Sequence, residues 1–293
     1  MKIRIGSRES RLAVIQSTMV MDAIKRVHPE IELELVTMKT TGDKILDRTL
    51  DKVGGKGLFV KELDRALLDG EVDLTVHSMK DMPMETDPRL PIVAASGRED
   101  PRDALLLPAG AEELDLSRPI GCASARRRIQ LEQLFPGCRV EPVRGNVLTR
   151  LEKLDQGGYA ALVLACAGLR RLGLDGRIKR IFEPEELLPA ACQGILAVQA
   201  REGLDPWFLD AFHCEETALM ARVERAFVRA LDGGCSSPVA AYARMADGEV
   251  ELTGLFARED GTHMRRRTRR FKPEEAEQMA AVLAWEMREA DGH

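Results

Sequence analysis

The sequence predicts an α/β protein with two similar doubly wound lobes, built on mainly parallel sheets, and a small C-terminal α+β domain with a three-stranded antiparallel sheet. Three observations lead to this fold. Apolar strands alternate with amphipathic helices in the first part of the chain, the same order of elements then occurs again, and the pattern changes to short paired runs after residue 214. A chain of 293 residues is long enough for two or three domains.

The first lobe starts with a strand, a helix and a second strand. The first strand lies around Ile5, the helix ends before Pro29, and the second strand covers residues 31–38. Because the connections are short, a right-handed crossover and parallel pairing are expected. A further helix over residues 58–68 leads into a strand that starts at Val72.

The strand that starts at Val72 leads to the most informative segment of the chain. Its apolar residues alternate with polar ones, and the alternation ends before Pro83. The turn after the strand then holds Ser78, Lys80 and Asp81. Because open α/β folds bind ligands at the carboxyl ends of their strands, Asp81 is a candidate catalytic carboxylate.

The second lobe repeats this order of elements. A strand at Ile120 resembles the one at Ile5, a helix covers residues 124–134, and a further strand covers residues 139–143. The polar, proline-containing segment 97–103 suits a hinge between the lobes. We therefore expect the functional site in a cleft between the two lobes.

The last part of the chain predicts a separate domain. A helix over residues 218–231 precedes three runs separated by Asp-Gly pairs, which favour hairpin turns, and a final helix starts after Pro273. The expected boundaries are residues 1–96 with 194–213 for the first lobe, 101–190 for the second lobe and 216–293 for the C-terminal domain.

Composition and charge limit the classes of function. The chain has 43 Lys and Arg against 48 Asp and Glu, a net charge of −5, which argues against a general nucleic-acid coat and favours a small partner. It has no apolar run long enough to span a membrane and no signal-peptide pattern, so we expect a cytoplasmic protein. The six cysteines are widely spaced, which indicates buried thiols rather than a zinc site or a disulfide framework. The sequence has no heptad repeat, and a monomer is expected.

Arginines gather near the predicted ends of strands and helices in both lobes. A guanidinium binds a carboxylate or phosphate through two parallel hydrogen bonds, so a cleft lined with arginines suits a compact polyanion. Any single arginine on an amphipathic helix is about equally often only solvated. The arginines concerned are Arg8, Arg11, Arg126, Arg127, Arg128, Arg144, Arg150, Arg170 and Arg171.

Other conspicuous residues have competing interpretations. Cys235 lies between a Gly-Gly pair and Ser-Ser-Pro, on an open loop that suits nucleophilic or attachment chemistry or simply exposes a structural cysteine. His77 fits a buried core histidine better than a catalytic group. The glycine-rich segment around Lys56 lacks the P-loop order and suggests a mobile lid, in which Phe59 could stack on a ring. The basic run 265–270 is interpreted mostly as a solvated strand.

Seven longer motifs follow one another along nearly the whole chain and through all three predicted domains. They are S-R-E-S-R-L-A (7–13), G-G-K-G-L-F-V-K-E-L (54–63), V-H-S-M-K-D-M-P (76–83), R-G-N-V-L-T-R (144–150), A-G-L-R-R-L-G-L (167–174), L-P-A-A-C-Q-G (188–194) and L-D-G-G-C-S-S-P (231–238). Together they resemble the porphobilinogen deaminase family, also called hydroxymethylbilane synthases. The two predicted lobes are periplasmic-binding-protein-like in arrangement.

The resemblance implies a transferase with a dipyrromethane cofactor, joined to Cys235 by a thioether and assembled from the enzyme's own substrate. Four porphobilinogen molecules would be added to this primer head to tail, each with loss of ammonia, before hydrolysis releases hydroxymethylbilane. The reaction belongs to tetrapyrrole and heme biosynthesis and requires no metal or nucleotide. Asp81 would stabilise positive charge and move protons during the reaction.

The resemblance also implies which residues meet the carboxylates of cofactor and substrate. The cofactor is expected at Ser78, Lys80, Ser124, Arg126, Arg127, Arg144 and Gly145, and the substrate at Arg8, Ser10, Arg150, Arg171 and Gln193, with weaker assignments for Arg11, Arg128 and Arg170. Lys56 and Phe59 would belong to the lid. Three departures from the family pattern are Cys122-Ala123 in place of hydroxyl residues, Cys192 in place of glycine, and Arg11 in place of an uncharged residue.

Two other functions fit some of the same residues. A two-lobed module that only binds anions would need no cofactor on Cys235. An acyl-transfer enzyme with Cys235 as its nucleophile would need a base beside the thiol, and no such base lies nearby in the sequence.

Overall fold

The structure, a computed structural model, describes residues 1–40, 60–233, 237–258 and 260–289. Its strands are β1 (Lys2–Arg8), β2 (Glu32–Met38), β3 (Leu74–Ser78), β4 (Ile92–Ala95), β5 (Asp103–Leu106), β6 (Ile120–Gly121), β7 (Val140–Glu141), β8 (Ala161–Ala165), β9 (Arg180–Phe182), β10 (Leu196–Ala200), β11 (Val239–Ala246), β12 (Glu249–Phe256) and β13 (Arg265–Phe271). Its α-helices are α1 (Arg11–Val27), α2 (Lys61–Leu68), α3 (Ala125–Leu134), α4 (Val147–Asp155), α5 (Cys166–Arg171), α6 (Glu215–Ala230) and α7 (Ala276–Glu289).

Two five-stranded sheets have the same topology. The first has the order β2-β1-β3-β10-β4 and the second the order β7-β6-β8-β5-β9. In each sheet, four strands are parallel to one another, and the fourth strand in the order, β10 or β5, is antiparallel to its two neighbours. Strands β11, β12 and β13 form a separate antiparallel sheet. The predicted fold, two similar mainly parallel lobes and a small C-terminal α+β domain, is confirmed.

The two antiparallel strands follow the segments that cross between the lobes. Residues 97–102 leave the first sheet without regular structure and lead into β5 of the second sheet, while residues 190–195 lead back into β10 of the first. The predicted hinge segment therefore ends before Asp103, which is the first residue of a buried strand rather than part of the polar link. The sequence did not indicate these reversed strands, because their pairing joins residues far apart in the chain.

Most predicted elements are present with small shifts in their ends. The helix predicted over residues 58–68 covers 61–68 in the described part, and the one over 124–134 begins at Ala125 with Ser124 as its N-cap. The strand predicted over 139–143 is shorter, Val140–Glu141, and the C-terminal helix α6 begins earlier than expected, at Glu215. No helix among the described residues is long and apolar enough to cross a membrane.

A buried ion pair joins the C-terminal domain to both crossing segments. The carboxylate of Glu224, on α6, is fully buried and lies 2.8 Å from Nη2 of Arg98 in the first crossing. It also accepts a 2.6 Å hydrogen bond from the backbone N–H of Cys192 in the second crossing and another from that of Ala243 on β11. Burial raises the pKa of Glu224, and the charge of Arg98 opposes that shift. One side chain thus fixes three parts of the fold.

We expect Glu224→Gln to lower the free energy of unfolding by about 3 kcal/mol, because the largely buried guanidinium of Arg98 would lose its counter-charge. Urea unfolding at neutral pH measures this loss. Glu216→Gln is the matched control, since Glu216 lies on the same helix and is exposed. Equal stability of the two variants would contradict the structural role of the pair.

Candidate active site

The segment with Asp81 forms a tight turn at the end of β3. Residues Met79–Asp81 form one turn of 3₁₀ helix where a turn was expected, whereas Ser78 is the last residue of β3 and not part of the turn. Met79 and Met82 are 2% and 1% exposed and pack in a core shared with the C-terminal domain, whereas Asp81 is exposed. The buried methionines fix the turn, and Asp81 stays accessible.

A buried carboxylate organises the arginines at the start of α3. Asp103 accepts a 2.7 Å hydrogen bond from Nη1 of Arg126 and a 2.6 Å hydrogen bond from Nη2 of Arg127. Both arginines also donate to main-chain carbonyls: Nη1 of Arg127 donates to Val163 at 3.1 Å, and the same Nη1 of Arg126 that contacts Asp103 donates to Leu188 at 2.7 Å. Burial disfavours ionisation of Asp103, but the two guanidinium groups outweigh it and hold the pKa of Asp103 far below its usual range.

Gln193 connects this cluster to the turn of the first lobe. Its Nε2 donates to Asp103 at 2.8 Å and to the carbonyl of Pro101 at 2.6 Å, and its Oε1 accepts from Nζ of Lys80 at 3.2 Å. Burial lowers the pKa of Lys80 to about 8, and the charge of Asp81 opposes that shift. A continuous polar path therefore runs from Asp103 through Gln193 to Lys80 beside Asp81.

Further cations from the second lobe lie close to the same point. Arg150 donates from Nε to the carbonyl of Gly145 at 2.8 Å, and its pKa is lowered by burial and then by the charge of Arg127. The charge of Asp81 acts on both Arg127 and Arg150, so the turn of the first lobe faces the arginines of the second. The structure thus brings Lys80 and Asp81 of the first lobe close to Arg127 and Arg150 of the second.

Arg171 extends the cationic group toward the second crossing. Its Nη2 donates to the carbonyl of Gly194 at 2.7 Å, and burial lowers its pKa. Among the described residues, its buried Nε has no hydrogen-bond acceptor, and the same holds for Nε of Arg126 and Arg127. These buried donors are suited to accommodate an additional anion.

The predicted serines have defined local partners. Ser10 and Ser124 are N-caps: their hydroxyls accept from the backbone N–H of Ala13 at 3.4 Å and of Arg127 at 3.5 Å. The hydroxyl of Ser78 accepts from Nε2 of Gln16 at 2.9 Å. The serines hold the starts of α1 and α3 and the end of β3 in place.

Position 145 can be occupied only by a residue without a side chain. Its φ is +112°, and a Cβ there would lie 2.8 Å from the side chain of Thr149. Only glycine fits this bend between Arg144 and the N-cap of α4, Asn146, so the bend fixes where Arg144 enters the site.

Several conspicuous basic residues have acidic partners outside this group. Arg170 pairs with Glu99 and Asp100, and Arg128 lies 3.4 Å from Glu132 on its own helix. The basic run on β13 is mostly exposed and has partners in Asp247, Glu251 and Glu286, which agrees with its interpretation as a solvated strand.

His77 and the cysteines agree with the sequence analysis where the structure describes them. His77 is buried and hydrogen-bonded to Thr75 Oγ1 at 2.9 Å, and burial lowers its pKa to about 4, so it is a neutral core histidine. The five described cysteines are free thiols, of which Cys122, Cys166 and Cys192 are buried. Lys56 and Phe59 of the predicted lid, and Cys235, lie outside the described residues. Arg8 ends β1, where its charge contributes to the low pKa of His77, and Arg11 begins α1 and is exposed.

Sequence reasoning missed Asp103, the central acid of the site. The signal was present: an aspartate directly before Ala-Leu-Leu-Leu is a charged residue at the edge of a buried strand, and such a charge needs a partner. The identity of that partner depends on α3, more than twenty residues later in the chain. Only the folded structure shows that two of the predicted carboxylate-binding arginines share this acid.

Replacing Asp103 tests how much this carboxylate contributes to the stability of the fold. We expect Asp103→Asn to reduce the free energy of unfolding by about 3 kcal/mol or more, because Arg126 and Arg127 would be left as adjacent buried cations. Chemical unfolding measures the change, with the exposed and separately paired Asp115→Asn as control. A loss no greater than that of the control would show that the arginines do not need this acid.

Comparisons with known proteins agree over almost the entire chain. Residues 3–206 match the family model described as porphobilinogen deaminase, dipyromethane cofactor binding domain, and residues 218–289 match that of porphobilinogen deaminase, C-terminal domain. Two relatives named porphobilinogen deaminase, from Acetivibrio thermocellus and Alkaliphilus oremlandii, are 59% and 58% identical; the matches cover 98% and 99% of this chain and 98% of each relative.

Solved structures that match part of this chain have low sequence identity and low TM-scores. The effector-binding domain of BenM with benzoate is 13% identical, with a TM-score of 0.42 over 72% of this chain and 87% of that one. The aliphatic sulphonate binding protein SsuA from Escherichia coli is 13% identical, with a TM-score of 0.39 over 69% and 61% of the two chains. From the family models and the close relatives, the chain belongs to the porphobilinogen deaminase family.

Proposed function

We propose that this protein is a hydroxymethylbilane synthase: it joins four porphobilinogen molecules head to tail on a dipyrromethane primer, with release of ammonia, and hydrolysis then frees hydroxymethylbilane. One observation supports this most strongly. Buried and half-buried cations of the second lobe lie near the exposed Asp81 of the first lobe. These cations are close enough together that the charge of Arg127, in addition to burial, lowers the pKa of Arg150. Such a site favours a ligand with several carboxylates.

The described residues fit the dipyrromethane group. Each of its rings bears an acetate and a propionate, and the buried guanidinium donors without acceptors, together with Lys80, match that requirement. We propose that Ser78, Lys80, Ser124, Arg126, Arg127, Arg144 and Gly145 hold the group and that Cys235 bears it. When bound, it supplies the pyrrole carbon to which the first substrate is joined.

The substrate's own carboxylates need partners that release them as the chain grows. We propose Arg8, Ser10, Arg150, Arg171 and Gln193 for this purpose, with Lys56 and Phe59 on a lid. Gln193 acts through both of its amide atoms, because it orients Lys80 on one side and Asp103 on the other. Arginine charges on a half-buried wall bind carboxylates while leaving them exchangeable with solvent.

Asp81 is the proposed catalytic residue. Its carboxylate is exposed and lies close enough to Lys80, Arg127 and Arg150 to act on their charges, and we propose that its Oδ atoms accept pyrrole N–H bonds and protons during the reaction. Loss of ammonia generates positive charge on the substrate. A carboxylate about 4 Å from such a charge attracts it by roughly 4 kcal/mol at an effective dielectric of 20, on the order of a thousandfold in rate if realised only in the transition state.

The remaining assignments accompany this function. We propose a first lobe of residues 1–96 and 194–213, a second lobe of 101–190 and a C-terminal domain of 216–293. We further propose a cytoplasmic monomer that acts on a small molecule, with neither a nucleic acid nor a membrane as partner. The net charge of −5 supports the absence of a nucleic-acid partner, because a chain with more acidic than basic residues is not attracted to a polyanion as a whole.

The intact mass of the purified protein tests the function directly. We expect a mass above that of the sequence by two pyrrole rings, absent from Cys235→Ser. The variant Asp81→Asn should keep the added mass. Its turnover of porphobilinogen should fall about 10²-fold or more, because the proton-accepting carboxylate is gone. Asp69→Asn, an exposed acid of the same lobe, should match the wild type. An unmodified wild-type chain that gains no mass from porphobilinogen would instead support an anion-binding module.

The low pKa of Lys80 predicts a pH dependence. With a pKa of about 8, Lys80 is charged below that pH and neutral above it, so its attraction for carboxylates is present at neutral pH and is lost as the pH rises through 8. We expect kcat/KM for porphobilinogen to fall about tenfold between about pH 7.5 and 9.

Replacement by arginine isolates the contribution of this group. Lys80→Arg keeps its charge throughout this range and should shift the alkaline decrease to higher pH. Lys179→Arg, an exposed lysine of the second lobe, serves as control and should leave the profile unchanged. An identical profile in Lys80→Arg and the wild type would assign the decrease to another group.

A further inference from the structure

A cavity of about 200 Å³ lies between the first lobe and the C-terminal domain; Met79 lines it, and Asp81 does not. Its walls are partly apolar and come from Met79, Ile92 of β4, and Ala218 and Ala221 of α6. Alanine at both helical positions leaves the space that a larger side chain would fill. The cavity contains none of the residues proposed above to hold cofactor or substrate.

Three arginines of α6 line one side of this cavity. Arg222, Arg225 and Arg229 lie on one stripe of the helix because they are three and four residues apart. Arg225 has a structural task, since its Nη2 donates to the carbonyls of Pro83 at 2.6 Å and Met84 at 2.8 Å. The other two have approximately half-exposed side chains at the cavity mouth.

The acidic groups at the mouth offset these arginines only in part. Arg222 and Arg229 share the carboxylate of Glu277 at 3.9 Å and 3.8 Å, beyond hydrogen-bond distance, and Arg222 also meets Glu215 at 3.3 Å. His213 donates from Nε2 to Glu215 and accepts at Nδ1 from the backbone N–H of Ala95, so both of its ring nitrogens are engaged. In the part of the chain that the structure describes, Glu277 meets these arginines only through the two long contacts.

We propose that this cavity is a second ligand site, which binds a small carboxylic acid with an apolar ring or chain. The alanine and methionine wall would receive the apolar part, and Arg222 and Arg229 would receive the carboxylate in place of their long contacts to Glu277. A volume of about 200 Å³ is many times the roughly 10–15 Å³ that one water molecule needs by the same measure, so the cavity has room for a single-ring acid. The site does not depend on the proposed function, since its walls and charges lie outside the cleft.

Calorimetric titration of the full-length protein with 3-phenylpropionate tests the proposal. We expect saturable binding of the acid and binding at least tenfold weaker of the neutral alcohol 3-phenylpropan-1-ol, which has the same apolar part. The double variant Arg222→Gln, Arg229→Gln should weaken binding of the acid about tenfold or more. Arg244→Gln, an exposed arginine paired with Glu251 in the same domain, is the matched control and should bind like the wild type.

Two more variants separate this cavity from the cleft. Arg150→Gln alters the cationic cleft and should leave binding of the acid intact, whereas Ala218→Leu narrows the cavity and should abolish it. Thermal unfolding confirms that each variant is folded. Equal binding of acid and alcohol, undiminished binding in the double variant, loss of binding in Arg150→Gln, or no saturable binding to the wild type would each overturn the proposal.

Discussion

The carboxylate of Asp103 is the constraint on which the site depends. Two guanidinium groups buried side by side would repel each other and lose their hydration, and a single buried carboxylate between them removes most of that cost. The balance still leaves one positive charge in excess. Lys80 and Arg150 lie close enough to interact electrostatically with this cluster, and they add further positive charge beside it.

The position of this cluster follows from the topology of the sheets. Asp103 begins β5 and Gln193 shortly precedes β10, so both lie beside the segments that cross between the lobes. The Glu224 pair with Arg98 ties those same segments to the C-terminal domain. The contacts that anchor the crossing segments therefore also hold the cationic residues in position. A movement of one lobe relative to the other would strain the hydrogen bond between Lys80 and Gln193.

Local sequence signals identified those parts of the site that local structure determines. The end of an apolar alternation placed Asp81 in a turn, and a serine before a helical pattern placed Ser124 at an N-cap. The roles of Asp103 and Glu224 could not be predicted in this way. A buried acid can be identified only when its basic partner is known, and Arg98 lies far from Glu224 in the chain. The reversed strands β5 and β10 were missed for a similar reason, since strand direction within a sheet depends on pairing between distant segments.

Lys80 shows why the site combines one lysine with several arginines. Guanidinium groups keep their charge in nearly any environment, so the arginines give the cleft a constant positive potential despite the chain's net negative charge. An ammonium group on a half-buried turn responds to its surroundings instead, and burial together with nearby Arg127 and Arg126 brings its pKa to about 8. An arriving carboxylate would favour the protonated form and strengthen its own binding. The charge that borders Asp81 thus depends on what occupies the cleft, whereas the charge of the opposite wall does not.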